Sequence, residues 1–256
     1  MVETGPKLNR SVERAVDVMA ALARADRPIS VTELEQALSL SRPTLYRILY
    51  TLEKKRMVVS AGDPQRFSLG ARVVELARPW LGDNHIAAIS QPYLATLWNE
   101  TDETVALFVV GDLNTKVCIQ ELQSRQALVF TRGTGIVEPL TMGSSGKSIL
   151  AFTSADTAAE VLGAIEGADI RARVERDLVA IRADGYSLTE GEVIAGAVAI
   201  SAPIFDRMGA VQGSVALYGP ETRLTGVHKT RCLECLLAAA RHISAAMGHR
   251  PAAAAE

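Results

Sequence analysis

The 256-residue sequence has few cysteines and no long apolar run, and both shortages exclude classes of protein. No window approaches the ~18 consecutive apolar residues of a membrane-spanning helix. The stretch Met1–Pro6 lacks the basic-then-apolar order of a signal peptide. Three cysteines, an odd number, provide no disulfide framework and agree with a reducing compartment. We therefore expect a cytoplasmic protein with no membrane partner.

The chain also lacks a large excess of either charge, with a net charge of -2, but its charges are unevenly placed. Residues 1–80 carry 13 Lys and Arg against 9 Asp and Glu, a net of +4, whereas residues 81–256 carry 14 against 20, a net of -6. A positive segment attracts phosphates, so we expect nucleic acid at the N-terminal part and another role for the remainder. The length suits two domains.

Catalytic signatures are scarce. The sequence has four histidines but no Gly-x-Ser-x-Gly motif, which would place a nucleophilic serine on a sharp turn. No catalytic residue is therefore assigned. Gly143–Ser148 resembles a phosphate-binding loop, but that motif needs glycine at position 141, which is Thr. A nucleotide-binding role and an enzymatic role are the less favoured alternatives.

A metal site is also weighed. Four candidate ligands share one side of a predicted helix: His228, Cys232, Cys235 and His242. Their span of about 21 Å is too long for one four-ligand centre, and cysteine on an apolar helical face is more often a small buried hydrophobe. No metal and no cofactor are predicted.

The most specific pattern lies between Pro28 and Gly70. Ser30 stands three residues before Glu33, a capping box that predicts the start of a first helix. Ser41 can cap a second helix with a leucine-rich stripe, and residues 57–69 then read as a hairpin. Together these elements are typical of a winged helix-turn-helix, although an ordinary helix pair packed into a larger core remains an alternative.

The outward face of the second helix is basic, hydroxylated and aromatic, which suits a helix lying in the DNA major groove. The residues predicted to contact DNA, two of them at the tip of the wing, are Arg10, Ser41, Arg42, Thr44, Tyr46, Arg47, Gln65 and Arg66.

The remainder mixes strands and helices without a βαβ alternation, which predicts an α+β domain built on an antiparallel sheet. Residues 71–100 read as connecting helices, broken at Pro79 and at Gly82–Asp83 and kinked at Pro92. Strands are expected at 105–110, 115–120, 127–131, 197–204 and 211–218, with a turn at 111–114. Helices are expected at 144–152, 155–165, 170–184 and 226–247.

Several fragments, taken in order, make the whole chain resemble the IclR family of transcriptional regulators. They are Arg10–Ala15, Ser41–Leu49, Phe67–Gly70, Gly146–Ala151, Ile181–Gly185, Ala202–Asp206 and Gly219–Pro220. The resemblance implies a winged helix-turn-helix DNA-binding domain (1–70), linker helices (71–100) and a GAF-like effector-binding and oligomerisation domain (101–256). It also implies a homodimer or homotetramer on a palindromic operator, acting as repressor or activator.

The resemblance further implies an effector pocket over the sheet face, near the helix that begins at Ser144. Backbone amides at that helix N-terminus suit a carboxylate. The residues assigned to the pocket are Phe108, Phe130, Ser144, Ser145, Gly146, Thr189, Ala197, Ala199, Ala216 and Tyr218. Because few of them carry hydroxyls, we expect a larger, partly apolar or aromatic carboxylic acid, while the alternative is that they simply fill a core.

The expected function is a sequence-specific DNA-binding regulator whose operator affinity is modulated by a small organic acid. A ligand-binding or dimerisation module that does not bind DNA is the alternative, because fold alone does not fix function.

Overall fold

The computed structural model describes residues 9–25, 27–82, 85–112 and 114–250, without the side chains of 78–82 and 85. Residues 1–6 and position 113 of the expected turn therefore lie outside the described residues. The chain divides into two compact units, Met1–Asp83 and Asn84–Glu256. None of the described helices combines the length and the hydropathy needed to cross a bilayer.

The first unit is a winged helix-turn-helix, as predicted. Its elements are α1 (Arg10–Arg24), β1 (Ile29–Ser30), α2 (Val31–Leu38), α3 (Arg42–Lys54), β2 (Val58–Ala61), β3 (Arg66–Leu69) and α4 (Arg72–Gly82). The three strands form an antiparallel sheet in the order β1-β3-β2. Leu34, Leu45 and Leu49 are buried in its core, so the predicted leucine stripe of α3 faces inward.

The capping box at the start of α2 is confirmed. The Ser30 hydroxyl accepts from the Glu33 amide at 3.3 Å, and Glu33 Oε2 accepts from the Ser30 amide at 2.8 Å. The bond from the Ser30 amide, with further ones from Arg27 and the Ser30 hydroxyl, lowers the pKa of Glu33 to about 2.

The predicted side-chain cap of α3 at Ser41 is wrong. The Ser41 hydroxyl makes no bond to the helix backbone and instead hydrogen-bonds to Thr44 Oγ1 at 3.0 Å. A capping side chain usually accepts from the amide of the second or third helical residue. Pro43 is the second helical residue of α3 and has no N–H, so one of these two donors is missing.

The second unit holds the remaining elements. They are α5 (His85–Thr101), β4 (Thr104–Val110), β5 (Thr115–Leu122), β6 (Val137–Pro139), α6 (Gly143–Leu150), α7 (Ala155–Gly163), α8 (Ala168–Asp184), β7 (Ser187–Glu190), β8 (Ala197–Phe205), β9 (Val211–Pro220) and α9 (Gly226–Ala246). Six antiparallel strands form one sheet in the order β6-β5-β4-β9-β8-β7, which agrees with the expected α+β class.

Side-chain alternation along the strands gives this sheet two buried faces. Val105 and Leu107 of β4 share one core with residues of α5 and α9. Ala106 and Phe108 point to the other face, where α6, α7 and α8 pack. The sheet is therefore the middle layer between two layers of helices.

Two expectations about single elements are wrong. Residues 127–131 form no strand; the Phe130 carbonyl accepts a hydrogen bond from the Thr104 hydroxyl at 2.9 Å. Glu121 instead accepts hydrogen bonds from the amides of Arg132 and Gly133, at 2.9 and 3.1 Å. Pro79 does not break α4, which continues to Gly82. Pro92 lies inside α5.

The segment 71–100, expected to connect two domains, is divided between the two units. The first unit contains α4, whereas α5 belongs to the second, where it packs against α9 and β4.

The close approach of α6 to Leu140 yields a test of packing. A Cβ at Gly146 would lie 2.5 Å from the Leu140 carbonyl oxygen. Gly146→Ala should therefore lower the free energy of unfolding by about 1–3 kcal/mol in urea denaturation. The control is Gly163→Ala, at a helical position where an added Cβ meets nothing within 4 Å, and it should leave stability unchanged or raise it. Equal stability of the two variants would contradict the packing argument.

Candidate nucleic-acid interface and ligand pocket

The outer face of α3 is accessible along its length. Tyr46 is 52% exposed, a high value for a large aromatic residue. The other predicted contact residues divide into an exposed set and the half-buried Thr44. The exposed ones are Arg10, Ser41, Arg42, Arg47, Gln65 and Arg66.

Two of the predicted arginines are held by carboxylates of the same unit. Arg42 Nε donates to Glu35 Oε2 at 2.8 Å, which raises the pKa of Arg42. Arg66 lies 3.3 Å from Glu33 Oε2. Arg47 forms no ion pair within the described residues, so its guanidinium is available to a DNA phosphate or base edge.

A groove between α1 and α3 contains residues that the sequence reasoning missed. Ser11, Arg14 and Thr51 line it together with the predicted Thr44 and Arg47, and its volume is about 260 Å³. Hydroxyl and guanidinium groups at a helix junction are suited to phosphate oxygens. Arg14 follows Arg10 by one helical turn, and this spacing is the signal that could have identified it.

The second unit contains a pocket of about 50 Å³ between the sheet and the start of α6. The structure brings all the predicted pocket residues to its wall except Gly146, which lies against Leu140. The additional lining residues, missed from the sequence, are Lys116, Arg132, Glu138, Gly143, Glu192, Val193 and Ile194.

Lys116 is a buried cation at this pocket, with 1% of its surface exposed. Its Nζ donates to the Met142 carbonyl at 2.6 Å and to Ser145 Oγ at 2.8 Å. It also lies 3.4 Å from Glu138 Oε2, and Glu138 pairs with Arg132. Burial first, and then the charge of Arg132, lower the pKa of Lys116 to about 7. The side chain therefore exists as both ammonium and neutral amine near neutral pH.

A second buried lysine lies on α6 itself. Lys147 Nζ donates to Glu192 Oε2 at 2.6 Å and to Asp177 Oδ2 at 2.7 Å. The other oxygen of Glu192 accepts from the Gly143 amide at 3.1 Å. Lys147, the lysine of the motif that resembles a phosphate-binding loop, is therefore paired with two carboxylates. One of them, Glu192, also occupies the N-terminus of α6.

Tyr218 closes the pocket on the sheet side through a hydrogen bond from its hydroxyl to Glu121. Burial and this partner raise the pKa of Tyr218 well above its ordinary value. Burial acts to raise the pKa of Glu121, but hydrogen bonds from the Thr131 and Tyr218 side chains and from the Arg132 and Gly133 amides together lower it. This network positions one wall of the pocket.

The four side chains weighed as metal ligands do not form one site: the Cys232 sulfur lies 3.5 Å from His228 Nε2, whereas the His242 ring packs against Tyr93. His228 Nε2 lies 3.2 Å from Glu103 Oε1, and Arg223 binds both oxygens of that buried carboxylate at 2.6 Å. Burial raises the pKa of the Cys232 thiol to about 12, so it is a poor nucleophile. Among the described residues, no three His, Cys, Asp or Glu side chains converge on a metal position.

Comparison with known families decides what these two sites belong to. One family profile, "IclR helix-turn-helix domain", matches residues 11–62, and another, "Bacterial transcriptional regulator IclR C-terminal", matches residues 80–245. The chain belongs to the IclR family.

Known proteins match this IclR-family chain over nearly its whole length. It is 28% identical over 249 residues to the transcriptional regulator KdgR of Escherichia coli (strain K12), with 93% of each chain covered. It is 25% identical over 257 residues to the transcriptional repressor IclR of the same strain, covering 96% of this chain and 94% of that protein. The Thermotoga maritima IclR structure has a TM-score of 0.73 at 25% identity, covering 94% of this chain and 99% of that one.

A second solved structure, the IclR-type regulator from Alicyclobacillus acidocaldarius, has a TM-score of 0.76 at 22% identity and shows the same fold. It covers 94% of this chain and 100% of that one. The protein is thus an IclR-family transcriptional regulator with an N-terminal DNA-binding domain and a C-terminal effector domain. Like its relatives, it is not an enzyme.

The free guanidinium of Arg47 gives a test of the interface. Arg47→Ala should weaken binding to a DNA fragment from the protein's own upstream region about tenfold, and should lower the salt dependence by about one ion, because a phosphate or base contact is lost. Fluorescence anisotropy across a salt series measures both quantities. Arg173→Ala removes the same charge from exposed surface on α8 and should leave DNA binding unchanged. Wild-type affinity in Arg47→Ala would show that α3 docks through another face.

Proposed function

We propose that this regulator binds a palindromic operator through the outer face of α3 and the tip of the wing, and that a carboxylic acid in the C-terminal pocket changes its operator affinity. The predicted DNA-binding and effector-binding residues keep these roles in the proposal, with the exception of Gly146, whose role is the close packing of α6.

One observation carries the choice of an acid: a buried ammonium and the first turn of a helix lie at one part of a pocket that also has apolar walls. Lys116 and the first turn of α6 supply the donors, while Phe108, Phe130 and Ala216 supply carbon walls. A carboxylate suits the donors, because both a buried ammonium and a helix N-terminus favour negative charge. The carbon walls favour a ligand that also has an apolar part.

An aromatic or otherwise bulky acid is the proposed ligand class. The volume of about 50 Å³ accommodates only a few water-sized groups, whereas an engineered cavity that binds benzene has about 150 Å³. Binding of a ring therefore requires the pocket to enlarge.

We further propose that two or four copies act together. Two-fold symmetry would present a second α3 to the same side of the DNA at a fixed spacing, which matches a palindrome and gives selectivity that one short helix lacks. The effector changes operator affinity only if it binds one arrangement of the copies better than the other. This role requires access to the chromosome and so places the protein in the cytoplasm.

The function is tested with defined acids and the upstream DNA fragment. Benzoate should raise the melting temperature by several degrees, because it binds only the folded state, and should change the affinity for the fragment. Micromolar binding of glyoxylate or pyruvate, with no aromatic acid bound, would contradict the ligand class. No salt-dependent DNA binding at low ionic strength would instead favour a ligand-binding module without DNA binding.

The buried lysine makes acid binding depend on pH. Because the pKa of Lys116 is about 7, its ammonium is largely charged below that pH and largely neutral above it. Benzoate affinity, measured by isothermal titration between pH 6 and 8.5, should therefore fall as pH rises through about 7. Lys116→Met keeps an apolar stem without the titrating amine, so it should bind benzoate more weakly at pH 6 and lose most of the pH dependence. A pH-independent wild type would contradict a charge contact with Lys116.

A further inference from the structure

The segment 191–196 between β7 and β8, here called the plug, places three consecutive side chains in the pocket wall: Glu192, Val193 and Ile194. The Glu192 carboxylate accepts from the Gly143 amide at 3.1 Å and from Lys147 Nζ at 2.6 Å. These are an amide at the start of α6 and a buried ammonium, the kind of donors that the proposed acid requires. The chain itself therefore fills one carboxylate position.

The plug is closed at its base and has a glycine at each end. The Gly191 amide donates to the Ala197 carbonyl at 2.7 Å, and the Gly196 carbonyl accepts from the Glu221 amide at 2.8 Å. Gly191 and Gly196 have φ values of +66° and +75°, and an added Cβ at either would meet nothing within 4 Å. Positive φ and open space let both ends rotate with little steric hindrance.

The charges of the pocket are balanced only while the plug is in place. Lys116, Arg132 and Lys147 oppose Glu138, Glu192 and Asp177 in and beside the pocket wall. An added anion would give this set a net negative charge, whereas its exchange for Glu192 preserves the balance. The Glu192 side chain is 28% exposed, more than the side chains of Lys116, Arg132 or Glu138. Of these four charged side chains, Glu192 therefore moves into water most easily.

The volume of the pocket also indicates that the plug must leave before a ring can bind. With Val193 and Ile194 in the wall the pocket has about 50 Å³, too little for an aromatic ring. Withdrawal of the plug removes two apolar side chains and one carboxylate together, which frees both room for a ring and the donors for its acid group.

We propose that Glu192 is a tethered stand-in for the carboxylate of the effector, and that the acid enters by taking the contacts of Glu192 with Gly143 and Lys147 while the plug leaves the pocket. This inference rests on the proposed acid-binding function of the same pocket. It adds that Glu192 competes with the effector for the same donors and so lowers the apparent affinity of the protein for the effector.

The competitor is tested by removing it and supplying a small carboxylate in solution. If Glu192 occupies the site about nine-tenths of the time, the wild type binds acetate about tenfold more weakly than an empty site would. Glu192→Ala should therefore bind acetate at least about tenfold more tightly than the wild type. Ligand-observed NMR measures the affinity. The matched control is Glu190→Ala, which removes the same charge two residues away, where Glu190 pairs with Lys229, and it should behave as the wild type. A folded Glu192→Ala protein with wild-type acetate affinity would overturn the proposal.

Two further measurements keep the proposal testable. If Glu192→Ala does not fold, Glu192→Gln retains the size of the side chain and should still bind benzoate several-fold more tightly. Hydrogen exchange of the wild type should show faster exchange of the amides of 191–196 when benzoate is bound, because the plug leaves the wall.

The outcomes separate this inference from the proposed function. Acetate binding to Glu192→Ala, with no acid bound by the wild type, supports the internal competitor and counts against the effector class. Benzoate binding to the wild type with unchanged exchange in 191–196, and with no gain in Glu192→Gln, overturns the competitor and leaves the acid-binding function in place.

Discussion

The six-stranded sheet of the C-terminal unit has to bury both of its faces, and the pocket follows from how differently the two faces are covered. On one side α5 and α9 form a continuous apolar core with the strands. On the other side α6 begins with four small residues, Gly143–Gly146, all of them buried. Small side chains let the start of the helix approach the sheet and Leu140, but they leave space beside Ala199 and Ala216 that larger residues would fill.

That space is governed by the pairing of buried charges. Lys116 and Lys147 are both almost fully buried, and each has a carboxylate partner. Removing one partner of a buried pair costs about 3–5 kcal/mol, because the remaining charge is left without compensation. A ligand that enters such a network must therefore replace a member of the same charge. For this reason a pocket lined by both signs can select an anion without having a net positive charge.

The extent to which the sequence predicts these features depends on how local their signals are. Ser30 and Glu33 act on one helical turn, so the helix-turn-helix could be predicted from neighbouring residues alone. The pocket charges could not, because charged residues are expected at the surface, and Glu192 finds its partners 45 and 49 residues away. The strand expected at 127–131 has suitable residues but does not pair with the sheet, an outcome that depends on tertiary contacts and not on β propensity.

The proposed exchange of carboxylates would also determine where specificity resides. If the ligand and Glu192 make the same polar contacts, replacing one with the other changes the electrostatic free energy little. The difference must then come from the rest of the ligand, opposite the side chains that the plug withdraws. Burying an aromatic ring of about 150 Å² contributes about 4 kcal/mol, whereas a two-carbon acid has almost no apolar surface with which to offset the loss of Val193 and Ile194 from the wall. In the proposed exchange, the walls formed by Phe108, Phe130 and Tyr218, and not the carboxylate site, would therefore decide which acid displaces the plug.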